Sequence, residues 1–102
     1  MTNEEIDSLI DTKIMGYLDE FSSNIKHAWD VVEILRADNK VLSIAQVFHQ
    51  RKDPYWEYIA RIEWHDSLGI YHHCFAIDRS APRAICLAAI ESCDLKVEVK
   101  KD

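Results

Sequence analysis

The runs Tyr55-Trp-Glu-Tyr-Ile-Ala-Arg-Ile-Glu-Trp64 and Ile70-Tyr-His-His-Cys-Phe-Ala-Ile77, followed at once by Ala81-Pro-Arg-Ala-Ile-Cys-Leu-Ala-Ala-Ile90, decide how this chain folds. The first two are rich in β-branched and aromatic residues and flank Asp66-Ser67-Leu68-Gly69, the pattern of an antiparallel hairpin. With the turn centred on those four residues, Trp64 faces Tyr71, Ile62 faces His73, Ala60 faces Phe75 and Tyr58 faces Ile77. This is the expected core face. The reverse face then pairs His65 with Ile70, Glu63 with His72, Arg61 with Cys74 and Ile59 with Ala76, mixing polar and apolar groups. Side chains alternate with a period of two, so a slip of one residue in the turn would reshuffle these pairs. The third run reads as a helix that Ser80 can cap and whose first turn tolerates Pro82. Ala84 to Ile90 carry no polar side chain, so this helix is expected to be buried nearly all round or to meet a partner.

Upstream, Thr2-Asn3-Glu4-Glu5 has the spacing of a capping box, and Ile6, Leu9, Ile10 and Ile14 form a narrow apolar stripe that ends at Gly16. A connector from Tyr17 to Phe21 leads to a second helix, capped by Ser22 or Ser23, with Ile25, Ala28, Trp29, Val32 and Leu35 at helical spacing and Trp29 as its anchor. Lys26, Asp30, Glu33 and Arg36 read as its solvated face. After a turn at residues 37–40, Val41 to His49 lacks clean alternation, as expected of a strand covered on both faces. The tail from Asp94 to Asp102 reads as a short edge strand or, preferably, a mobile end. The fold class is therefore α+β: a single domain over residues 1–102, element order α-α-β-β-β-α, an α-β-α layered sandwich with a three-stranded antiparallel sheet and helices over both faces.

With 102 residues, nearly half of them apolar, and only two Gly and two Pro, the chain can build a core of its own. A formal net charge of −6 argues against general affinity for nucleic acid or anionic membranes. No signal segment, lipidation motif or membrane-length apolar run is visible, and a cytoplasmic location is expected. Cys74, Cys86 and Cys93 have no zinc-ligand spacing. Cys86 and Cys93, seven apart on a helix, lie roughly 10 Å apart along its axis, too far for a disulfide. All three are expected to be small buried hydrophobes.

Three stretches resemble the phage ABA sandwich domain family, small phage and prophage proteins with α-β-α layers. They are Lys13-Ile-Met-Gly16, Phe21-Ser-Ser-Asn-Ile-Lys-His-Ala-Trp-Asp-Val-Val-Glu33 and Ser80-Ala-Pro-Arg-Ala-Ile-Cys-Leu-Ala-Ala89. Phe21-Ser-Ser stands where the family tends to have an aromatic residue, Ser and Thr, a departure that keeps the helix cap. The resemblance implies the layered fold and a phage or prophage origin; it brings no assigned activity, catalytic residue or cofactor.

Glu63, His65 and His72 form the candidate polar sheet face. Three such ligands could hold zinc, but no accompanying signature supports a metal, and a Glu63–His72 hydrogen bond is the simpler expectation. His73 is expected in the core. Cys74 with His72 lacks a third member for nucleophilic catalysis. Arg79, Ser80 and Arg83 surround the start of the last helix, where basic side chains oppose the helix dipole unless an anion is near, making a candidate site for a small anion. Salt bridges to Asp78 or to acids of the first helix are the plainer alternative. The leading functional expectation is a binding protein, acting as a homo-oligomer or on a host protein, without a cofactor. Capture of an anionic ligand comes second. Double-stranded RNA binding, whose domains share this element order, is disfavoured because only two arginines stand at the helix start, and a small hydrolase comes last.

Overall fold

In the computed structural model, which describes residues 1–98, helix α1 (Asn3–Ile10) begins with the expected capping box. Thr2 Oγ1 accepts from the Glu5 amide at 3.2 Å and Glu5 Oε1 accepts from the Thr2 amide at 2.8 Å. The helix widens into a π-turn at Asp11–Met15 and stops at Gly16, whose φ of 80° suits glycine. Ile6 and Ile10 are fully buried, with Leu9 and Ile14 packed beside them, so the expected stripe holds.

Helix α2 (Ile25–Ala37) is capped by Asn24, whose Oδ1 accepts from the Lys26 amide at 3.0 Å. Ser22 does a different job from the capping expected of it: its amide donates to Asp7 Oδ1 at 2.8 Å and its hydroxyl to the Asn3 carbonyl at 3.2 Å. These bonds tie the connector to α1 and place Phe21 in the core. The buried side of α2 is Ala28, Val31, Val32 and Leu35. Trp29, expected as its anchor, is 45% exposed, and Ile25 lies out beside it. Val31 takes the inward position, which turns the stripe away from Trp29.

Strands β1 (Val41–His49), β2 (Tyr55–His65) and β3 (Tyr71–Asp78) form an antiparallel sheet in the order β1-β2-β3. The β2–β3 register differs by one residue from the sequence expectation: Trp64 pairs with His72, Ile62 with Cys74 and Ala60 with Ala76. Asp66 and Ile70 close a three-residue loop, with the Asp66 amide donating to the Ile70 carbonyl and the Gly69 amide to the Asp66 carbonyl. Gly69, at φ 81°, supplies the left-handed residue that such a loop needs. Asp66 Oδ1 holds the turn from within by accepting from the Leu68 and Ile70 amides.

Helix α3 (Ala81–Glu98) runs well past Ile90, so residues 94–98 are helical rather than an edge strand; 99–102 lie outside the described residues. It packs on β2 and β3 with one side and on α1 and α2 with the other. Ala84, Ile85, Cys86, Ala88, Ala89 and Ile90 are consequently buried within one copy. The chain thus has the expected α+β composition and α-α-β-β-β-α order. Coverage of the sheet departs from expectation: the helices pack against one face, and the side chains of the other are largely exposed. Strand β1, expected to be covered on both sides, is an edge strand with only Leu42 and His49 partly buried.

Candidate interaction surface

Alternation and register together divide the sheet. Leu42, Tyr58, Ala60, Ile62, Trp64, His72, Cys74 and Ala76 point to the helices; Val41, Ser43, Ala45, Val47, Glu57, Ile59, Arg61, Glu63, Tyr71, His73, Phe75 and Ile77 point away. On this open face Phe75 is 54% and Ile77 47% exposed, and Val41, Val47 and Tyr71 are exposed too. Apolar groups of this size are usually withdrawn from water, and a contiguous set of them marks an interaction surface.

Polar contacts fix the charged groups of the open face. Arg61 Nη2 donates to Tyr71 Oη at 3.0 Å and lies 3.4 Å from Glu63 Oε1, while Tyr71 Oη donates to the same Glu63 oxygen. The tyrosine holds the guanidinium charged, raising its pKa. His49 Nε2 lies 2.8 Å from Glu57 Oε1, and the Arg79 guanidinium sits 3.8 Å above the Tyr55 ring. The result is an apolar field crossed by pre-oriented charges of both signs.

Glu63, His65 and His72, expected to share one face, do not. Glu63 and His65 are on the open face; His72 is on the helix face, stacked on Trp64 with ring centroids 5.3 Å apart and bonded to Asp66 Oδ2 at 2.9 Å. The shorter loop exchanges the faces of β3, which replaces the expected Glu63–His72 pair with Glu63 opposite His73. His73 is correspondingly exposed rather than in the core, stacked on Tyr71. Among the described residues no cluster of three His, Cys, Asp or Glu has metal-binding geometry.

Arg79, Ser80 and Arg83 are neighbours whose side chains go separate ways. Ser80 Oγ accepts from the Arg83 amide at 3.4 Å, as a helix cap. Arg83 Nε donates to Asp78 Oδ2 at 3.1 Å, and its two terminal nitrogens donate to Asn3 Oδ1 and the Met1 carbonyl. Arg83 therefore clamps α3 to the end of β3 and the start of α1, and an anion there would compete with Asp78. Cys74 and His72 do share the helix face, but the Cys74 thiol donates to the Ala88 carbonyl at 3.4 Å and burial pushes its pKa up to about 11. Cys86 is pushed up to about 12 for the same reason, and Cys93 is only half-buried. Lys40, 5% exposed, is held by the Ser92 carbonyl and hydroxyl and by the Trp64 ring 4.9 Å away.

Sequence reasoning placed Tyr71, Phe75 and Ile77 in the core and missed the open face. The signal that could have found it is Gly69 as the third residue of a Ser67-Leu68-Gly69 loop.

No described helix is long and apolar enough to cross a membrane. Comparison with curated proteins and with solved structures found no significant match. The family model described as the phage ABA sandwich domain matches residues 2–90, nearly the whole described chain, with the helix starts and ends that carried the resemblance inside it. The chain belongs to the phage ABA sandwich domain family.

Proposed function

We propose that this protein is a phage or prophage accessory protein that works inside the host bacterial cell by binding a protein surface, its own copy's or a host protein's, rather than by catalysis. The observation that carries this reading is the open sheet face, where Phe75, Ile77, Val47 and Tyr71 stand exposed among oriented charges. Exposed apolar side chains on the two outer strands, interspersed with charges on the central one, make the mixed apolar and polar surface that non-obligate protein interfaces use. The apolar circumference of α3, which in sequence suggested a partner, is satisfied by α1, α2 and the sheet, so the interaction surface moves to the other side of the strands.

The test is a double variant, Phe75→Ser with Ile77→Ser, compared with the wild type for self-association in solution and for capture of partners from phage-infected cells. Loss of association with only a small drop in melting temperature is expected, because about half of each side chain is already in water and neither belongs to the core. Unchanged association in the variant, or a wild type that associates with neither itself nor any other protein, would overturn the reading.

A further inference from the structure

We infer that the open sheet face is covered by a second copy of this chain, stacked face to face about a two-fold axis that runs across the strands along the row Ala45, Ile59, Ile77. The inference rests on the binding reading above and narrows it to one occupant and one geometry. The register makes these three residues neighbours in one row of the open face, and all three are apolar. On one side of the row the centre strand carries Glu57; on the other side, at the same distance, it carries Arg61.

A two-fold axis lying along the row exchanges its two sides, so Glu57 of each copy meets Arg61 of the other, twice per dimer, while Ile59 and Ile77 meet their own counterparts. A two-fold axis along the strands would instead set Glu57 on Glu57 and Arg61 on Arg61, and like charges in an interface are costly. Charge therefore selects the first axis over the second.

Packed sheets cross at about 30°, so the match is closest at the central rows and opens toward the strand ends. With strands about 4.8 Å apart and 3.4 Å per residue, the flat footprint is roughly 450 Å² per copy before side-chain relief is counted. Two copies therefore bury roughly 900 Å² of flat area, under the about 1,200 Å² at which stable specific interfaces begin, so the dimer is weak and concentration-dependent.

The experiment is sedimentation of the full chain over a concentration series under reducing conditions, with melting curves as the control for folding. Wild type should pass from monomer to dimer. Glu57→Arg and Arg61→Glu, each alone, should weaken the dimer at least about tenfold. An equal mixture of the two single variants, and the double charge-swap variant, should both recover it. Residues 57 and 61 are four apart on one strand, about 13 Å, so recovery in the mixture has no explanation within one copy. A wild type that stays monomeric at several hundred micromolar overturns the inference. So do single variants that dimerise like the wild type, or a mixture no better than its components. A monomer that still captures a host protein through Phe75 and Ile77 overturns self-association and leaves the binding reading standing.

Discussion

The two faces of the sheet share the same three strands, yet the larger apolar side chains of β3 are on the face that water reaches. Toward the helices β3 presents Cys74 and Ala76; away from them it presents Phe75 and Ile77. On α3, Ala88 lies against Cys74, and Ala84, Ala88 and Ala89 are all fully buried. Small residues on both sides let the helix lie close enough for the Cys74 thiol to reach a helix carbonyl, and Phe75 would not fit in that space. Room under the helix, rather than hydrophobicity alone, decides which face is inside. The open face is then free to keep large apolar groups for another purpose.

The most direct way to break this comparison is to truncate one residue on each face. Ile62→Ala and Trp64→Ala should each cost about 3–5 kcal/mol in denaturant unfolding, since both side chains are buried under α3. Phe75→Ala should cost only about 1 kcal/mol when measured at a concentration where the protein is monomeric, because half of its surface is already in water. Equal costs on the two faces would show that the open face supports the fold after all.

A smaller loss, about 1–3 kcal/mol, is expected for Arg83→Gln, because Asp78 would keep its partly buried charge without its partner and the tie to α1 would go. Thermal melting checks it; an unchanged midpoint would leave Arg83 free for an anion. Trp29→Ala should cost about 1 kcal/mol, well below Trp64→Ala in the same assay, because half of its surface is already in water. A cost equal to that of Trp64 would restore Trp29 as the anchor of α2.

Thiol labelling sharpens the inside of the comparison. Cys93 should react first with a thiol reagent near neutral pH, whereas Cys74 and Cys86, raised to about 11 and about 12, should react only as fast as the protein opens. Mass spectrometry of the labelled sites reads the order. The smallest expected effect is at the turn that sets the register. The His72 ring, then the amides of Ile70 and Leu68, hold the Asp66 carboxyl below its ordinary value of 3.8. A depressed carboxyl adds stability that is fully present above 3.8 and is lost as pH falls through the lower folded value. NMR titration should find that lower midpoint, and Asp66→Asn should remove this part of the acid dependence.

Much of the architecture was legible in the chain. Thr2 with Glu5, the Ile6 and Ile10 stripe, Gly16 and the apolar run of α3 are local patterns, and local patterns name elements well. What was not legible depended on facts that a strand does not carry within itself. The alternation of β3 reads more apolar through Tyr71, Phe75 and Ile77 than through Cys74 and Ala76, so a pattern-based reading turns it the wrong way. Only the loop length, and the closeness of a helix that follows, correct it. Trp29 failed for a similar reason: Val31 and Trp29 compete for the inner side of α2, and neighbours outside the helix choose between them. The candidate polar face of Glu63, His65 and His72 inherited the same one-residue error.

Helix α3 also determines when the protein can become stable during its synthesis. It is the last described element, and α1, α2, β2 and β3 all rest on it. Until Ala81 and the residues after it have left the ribosome, Ile6, Ile62 and Trp64 lack the helix that completes their packing, and the emerging chain carries two helices and a largely uncovered sheet. Such a nascent chain must wait with both sheet faces exposed, which makes it a substrate for chaperones and leaves it open to strand-edge association. A ribosome stalled shortly after Ser80 would hold a chain that proteases cut freely, whereas release of α3 completes the whole core in one step.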